Sequence, residues 1–216
     1  MPVTNQAERT IPFGPWQLYK IDEPRTRRVV QVVPGLLLFG VAMALAIEAE
    51  LGVSPWTVFH QGVAERTGLT IGTITVLVGV ALVLFLYPFL REPVGLGTLF
   101  NATVIGPAID VTQWLIPDVE SIPVRVAMLA AAPVILGLGS GLYIGAGLGP
   151  GPRDGLMVWL ERRGLRIWQG RALVEFTALL VGWILGGNVG LGTIWMALSI
   201  SWFVDLFLRP PLRIDA

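Results

Sequence analysis

Six apolar runs fill most of this chain, each about as long as a helix needs to cross the ~30 Å hydrocarbon layer of a bilayer. They cover residues 29–47, 69–90, 97–115, 124–147, 167–187 and 190–208. The runs are continuous rather than alternating, so they read as helices and not as strands of a closed barrel. Hydrophobic residues make up 54% of the 216 positions and charged residues only 14%, with a mean hydropathy of +0.70. A soluble domain carries about a quarter charged residues. A sphere of this size lacks the interior volume to hide so much apolar surface, so lipid must be the solvent for much of the chain.

What is missing narrows the chemistry. There is no cysteine and one histidine, His60. Thiolate sites, disulfides and multi-histidine metal centres are therefore not expected, nor is any cofactor. Fifteen basic and fifteen acidic residues cancel, which gives no global charge for nucleic acid. Ser140 in LGSGLY resembles the serine of an intramembrane protease only superficially, because no later span supplies a histidine. No catalytic constellation is present, and an enzyme is not expected.

Orientation follows from the basic residues, which favour the cytoplasmic side. With the N-terminus inside and six spans, only Arg66 and Arg125 of the fifteen fall outside. Residues 1–28 read as a cytoplasmic arm without a signal peptide, its Phe13, Trp16 and Tyr19 lying on anionic headgroups. Residues 29–208 form a single membrane domain, and 209–216 a cytoplasmic tail.

The chain also repeats itself. LGVSPWT at 51–57 aligns with LGPGPRD at 148–154, and VGLGT occurs at both 94–98 and 189–193. Glu65-Arg66 precedes Gly68-Leu69 as Glu161-Arg162 precedes Gly164-Leu165, and Asp110 matches Asp205. The offset drifts only from 97 to 95 residues. Repeat 1 is 29–117 and repeat 2 is 123–208. Three crossings per copy force the second copy upside down, an architecture common among secondary transporters. The expected fold is all-α: a polytopic membrane protein with six transmembrane helices as two inverted three-helix repeats.

Each copy also contains a short segment, 54–65 or 151–163, opening on Pro or Gly. Ser54 is placed to cap the first. Trp56, Phe59 and Val63 form one apolar stripe, and Leu156, Trp159 and Leu160 another. The segments are either re-entrant half-helices aimed at a buried site or amphipathic helices lying in the interface. Small residues precede each, Gly40 and Ala44 in the first span, Gly137, Gly141 and Gly145 in the fourth. These are expected to let the two spans cross closely at a pseudo-twofold axis.

Ionisable residues inside a bilayer are costly and mark function by default. Glu175, about eight residues into the fifth span, has Arg171 one turn earlier as an ion-pair partner. Glu48, on the small-residue stripe, closes the first span. Asp110 and Asp205 are repeat mates, expected to accept hydrogen bonds from the neighbouring short segment. Arg153 and Asp154 open the second short segment, Asp154 suiting a helix start. Asn101 and Gln113 sit in the third span, and His60 lies in the first short segment, a proton-sensitive group if it dips inward.

The stretches LGVSPWTVFHQGVAERTGLTIGTI, VGLGTLFNATVIGPAID, LGPGPRDGL and NVGLGTIWMAL together resemble the bacterial YczE/YyaS integral membrane family, which is distantly similar to YitT proteins. The likeness runs from about residue 29 to 208. It implies a protein of the bacterial cytoplasmic membrane and supplies no catalytic residues. The expectation is a small secondary transporter, working as a homodimer, for an unknown small-molecule or lipid-like substrate. Its pathway runs between the repeats, with Glu48, Ser54, Trp56, His60, Asn101, Asp110, Arg153, Asp154, Arg171, Glu175 and Asp205 as candidates to line it. The alternatives are a non-transporting accessory protein for a partner enzyme or secretion system, and, less favoured, an enzyme acting on lipids.

Overall fold

The computed structural model describes residues 10–13, 16–19, 25–90 and 93–208. Nearly all of this is helical: α1 (Arg25–Glu48), α2 (Pro55–Thr67), α3 (Ile71–Ala81), a π-helical turn (Leu82–Leu86), α4 (Tyr87–Leu90), α5 (Leu96–Leu115), α6 (Ile122–Gly145), α7 (Asp154–Arg162), α8 (Ile167–Leu185) and α9 (Leu191–Phe207). A small sheet is added at one edge. Strands β1 (Thr10–Phe13) and β2 (Trp16–Tyr19) form an antiparallel hairpin, and β2 pairs in parallel with β3 (Pro93–Val94). The arm expected to lie on headgroups therefore docks its backbone beside the start of α5. The readings of Arg9, Lys20, Arg91 and the tail 209–216 lie outside the described residues.

Two helices meet the length and apolarity of a membrane span by themselves, Thr26–Glu48 and Ile122–Gly145. At 1.5 Å per residue each reaches about 35 Å, enough to cross. A third candidate is broken: α2 and α3 meet at a bend of 109°. The continuous helix expected over 69–90 is also interrupted, by the π turn at Leu82–Leu86. Asn101, Asp110 and Gln113 interrupt α5, and Gln169, Arg171 and Glu175 interrupt α8, so neither offers an uninterrupted stretch as apolar as those in α1 and α6.

The core is built around α1. Its Val32, Leu36, Ala42 and Ala44 are fully buried. α1 and α6 run antiparallel in close contact. Arg28 Nη1 donates to the Ala146 carbonyl at 2.8 Å, and Gln31 Nε2 to the Leu142 carbonyl at 2.9 Å. Between these bonds and the far ends, Gly35 meets Gly139, where a Cβ on Gly35 would lie 2.8 Å from the Gly139 carbonyl oxygen. The crossing is thus at Gly35 and Gly139, not at the expected ladder. Gly40 faces Ile105 and Ala108 of α5, while Gly137 and Gly141 face Phe203 and Phe207 of α9. Small residues announce a close approach of backbones but do not name the partner helix.

Two tight loops lock the ends. Gly52 adopts φ +104° and lies against Gly190; the Leu51 carbonyl accepts from Gly192 N–H at 2.7 Å. Gly149 adopts φ +111° and lies against Gly95; the Leu148 carbonyl accepts from Gly97 N–H at 2.8 Å. Only glycine takes such φ values without strain while letting another backbone come this near. Outside the core the surface is apolar. Phe176, Trp183, Ile184, Leu198 and Trp202 are 63–74% exposed, as lipid-facing side chains would be.

A charged cavity between the short helices

α2 is enclosed in the bundle. Seven of its residues are buried: Pro55, Trp56, Thr57, Val58, His60, Gly62 and Ala64. Gly62 and Phe59 press on Gly182 of α8, and Arg66 Nε donates to the Leu185 carbonyl at 3.1 Å. α7 is more peripheral, with Gly155 its one buried residue among those described. Both helices begin beside the same space. Trp56 near the start of α2 and Arg153 at the start of α7 line two adjoining cavities, together with Phe39 and Met43 of α1.

The larger cavity, about 70 Å³, brings together Ser54, Trp56, Arg153, Asp154, Arg171 and Glu175. The expected i,i+4 ion pair is present, with Arg171 Nε 2.9 Å from Glu175 Oε1. Asp154 Oδ2 accepts from Gly151 N–H at 3.1 Å, so it serves the helix start. Ser54 occupies the position before α2 without capping it; its hydroxyl bonds the Thr57 hydroxyl at 2.8 Å. The smaller cavity, about 50 Å³, holds Trp56, His60, Thr75, Asn101 and Arg153. His60 is buried, its Nδ1 lying 3.0 Å from Thr75 Oγ1, and Thr75 Oγ1 donates to the Ile71 carbonyl at 2.8 Å.

Arg153 is held by an aromatic face. Its Cζ lies 5.6 Å from the centre of the Phe39 ring, a cation–π distance. Among the described residues it forms no ion pair. The Trp56 indole N–H is buried and has no hydrogen-bond acceptor among the described residues.

A wider vestibule, about 220 Å³, leads from the larger cavity and is lined by Asn101, Tyr143, Arg153, Asp154, Arg171 and Asp205, among others. Asp205 thus joins the group, while its repeat mate does not. Asp110 accepts from Thr70 Oγ1 at 2.6 Å and from Gly72 N–H at 2.9 Å. Its partners are at the start of α3 rather than on the short helix. Glu48 is likewise apart, accepting from Gln113 Nε2 at 2.7 Å. The sequence reading missed Phe39, Met43, Thr75 and Tyr143. Phe39 and its repeat mate Leu136 both line the larger cavity, but as apolar residues within apolar spans neither carries a sequence signal that marks it.

On the other side of Trp56 runs an apolar groove of about 340 Å³ between Phe59 of α2, Leu156 and Trp159 of α7, and Leu173 and Val181 of α8. The two predicted apolar stripes meet there. Thr177 is the polar residue in its wall, and no ionisable side chain lines it. No group of three or more His, Asp or Glu residues among those described is placed to hold a metal ion.

Comparison with known proteins agrees with the membrane reading. The chain is 35% identical to the "Uncharacterized membrane protein YczE" of Bacillus subtilis over 166 residues, covering 76% of this chain and 77% of that protein. It is 34% identical to an "Uncharacterized protein" of Haemophilus influenzae, covering 93% of this chain and 92% of that one. It is 28% identical to the "Uncharacterized protein YyaS" of B. subtilis, covering 74% and 82%. No solved structure matches. The model of a family of unknown function, DUF6198, matches residues 26–209, and the chain, a membrane protein of the YczE/YyaS type, belongs to that family.

Proposed function

We propose that this protein is a small secondary transporter of the cytoplasmic membrane, its pathway running between two inverted repeats. The observation that carries this reading is the convergence of both short helices, one from each repeat, on the paired cavities. Their walls correspond at many positions. His60, Thr75, Gly79, Asn101 and Ile105 line one; their repeat mates Met157, Arg171, Glu175, Met196 and Ile200 line the other. The antiparallel contact of α1 with α6 and the reciprocal Gly52–Gly190 and Gly149–Gly95 loops support the inversion. Discontinuous helices that start at a central site are the usual means of building a binding site at the midplane of such folds. Both cavities are lined by one chain, so the reading needs no second copy.

The halves differ in one respect that bears on mechanism. α3 lies tightly on α5, with Gly72 against Gly106 and Gly79 against Ala102. The repeat mates of Gly72 and Gly79 in α8 are Trp168 and Glu175. The glycines of α8 instead approach α2 and α7, Gly182 at Phe59 and Gly170 at Leu160. The vestibule opens on this side, with residues of α8 and α9 in its wall. With the N-terminus inside, that side faces the cytoplasm and the reading is of an inward-open state; a separate polar pocket of about 470 Å³ at Gln61, Glu65, Asp110 and Gln113 lies at the opposite end and is not lined by the residues of the central cavities. Closure of the vestibule and opening along the α3–α5 seam would complete an alternating cycle.

A second reading, action on membrane lipids, draws on the apolar groove. That groove has no ionisable lining residue, and Arg153 and Glu175 lie in the cavity across Trp56, so we assign it to lipid-chain contact. Proteoliposomes loaded with radiolabelled organic acids, amino acids, sugars or cations test transport directly. One solute class is expected to leave faster than from protein-free vesicles, and Asn101→Trp, which fills the junction of cavity and vestibule, is expected to stop it. No protein-dependent efflux of any class would favour an accessory role.

A further inference from the structure

The central cavities carry a chemical preference that the charge balance of the chain conceals. Two of the side chains lining both cavities carry donors without a protein acceptor among the described residues. One is the Trp56 indole N–H, on a side chain only 8% exposed. The other is the Arg153 guanidinium, which offers up to five N–H donors and is positioned by the Phe39 ring rather than by a carboxylate. A buried donor without a partner destabilises the fold, and a ligand supplying the acceptor would remove that penalty. The same space meets the start of α2, whose own Ser54 hydroxyl is turned to Thr57 and leaves the first backbone N–H groups uncapped by that side chain. A helix start favours negative charge.

The acidic groups nearby have other partners. Glu175 Oε1 accepts from Arg171 Nε, and Asp154 Oδ2 from Gly151 N–H. In the smaller cavity Arg153 stands with the polar side chains of His60, Thr75 and Asn101 and no acid. The remaining wall is apolar, from Phe39, Met43 and Ile105. A cavity of about 150 Å³ takes a benzene ring; cavities of about 70 and 50 Å³ fit a few heavy atoms.

From this we infer that Arg153 and the Trp56 N–H bind the carboxylate of a small organic acid, whose short apolar chain lies against Phe39 and Met43. The inference rests on the transporter reading for its biological sense but not for its test. Arg153 and Trp56 are repeat mates, so each half supplies one donor. A free acid and an amino acid share this chemistry, and only the second brings an ammonium for Asp154 or Glu175.

The experiment is equilibrium binding to the purified full-length protein in detergent micelles, by calorimetry at constant ionic strength. Propionate and alanine are the carboxylate probes, and propionamide the neutral control of the same shape. At least one carboxylate is expected to bind at least tenfold more tightly than propionamide. Arg153→Gln is expected to weaken it at least tenfold. Trp56→Phe, which removes the donor and keeps one aromatic ring, is expected to weaken carboxylate binding about three- to tenfold while changing propionamide binding less, and covers the case in which Arg153→Gln fails to fold. Equal binding of propionate, alanine and propionamide, binding of none, or full affinity in Trp56→Phe would overturn the inference. Such a result would leave the transporter reading standing, because the efflux assay decides that separately.

Discussion

At Asp110 a carboxylate inside an apolar helix, functional by default, is instead a fastener. It ties α5 to the start of α3 through Thr70 and Gly72. Asp110→Ala is expected to lower stability by about 1–2 kcal/mol, read as a drop in thermal midpoint in detergent, because it removes both bonds and the charge at a helix start. Arg171 and Glu175 behave differently. Their side chains are 45% and 25% exposed, so the pair adds less than about 1 kcal/mol. Glu175→Gln is therefore expected to leave the midpoint nearly unchanged while reducing flux in proteoliposomes; an unaltered flux would remove Glu175 from the pathway. The sequence made the Arg171–Glu175 pair legible because i,i+4 spacing fixes proximity on one helix. It placed Asp110 correctly as a structural acceptor but not its partners, since those lie forty residues away in a bend that no local pattern encodes.

The helices themselves were largely readable, for continuous apolar runs leave little choice of secondary structure in lipid. Less readable were their breaks and their neighbours. The π turn at Leu82–Leu86 sits in an apolar stretch whose one local mark is Pro88, which has no N–H for the Leu84 carbonyl and so breaks the regular helical bonding there. The small residues at Gly40 and Gly137 fixed where backbones approach, yet the partners were α5 and α9 rather than each other. Whether α2 packs inside the bundle or lies on its surface was left open by its sequence, because a stripe of Trp56 and Phe59 suits either an interface or a protein groove. Its burial, His60 included, distinguishes the two. Two substitutions examine the helix contacts. Gly35→Ala puts a methyl group against the Gly139 backbone and is expected to cost about 1–3 kcal/mol of unfolding free energy in detergent. Gly72→Ala, at the α3–α5 seam, is expected to destabilise similarly, whereas Trp168→Ala at its repeat mate, 63% exposed, is expected to change the midpoint little.

For the molecule as a whole, the two sequence repeats contribute matching positions to both cavities and differ in the residues they place there. Equivalent positions build two cavities around one centre, and glycines on one side face larger residues on the other. On the transporter reading proposed above, the close α3–α5 packing and the vestibule at Asp205 would be features of one state in a cycle. The absence of cysteine in the natural chain permits a direct examination of this account. Single cysteines at Ser54 and Asn101, with Ala42 as a buried control, would be exposed to a membrane-impermeant maleimide in inside-out and right-side-out vesicles. The account predicts rapid labelling of Asn101→Cys, in the vestibule wall, from the cytoplasmic face, slower labelling there of the more deeply placed Ser54→Cys, little labelling of either from the outside, and none at Ala42→Cys; if Asn101→Cys does not react from the cytoplasmic face, there is no water-filled pathway between the repeats.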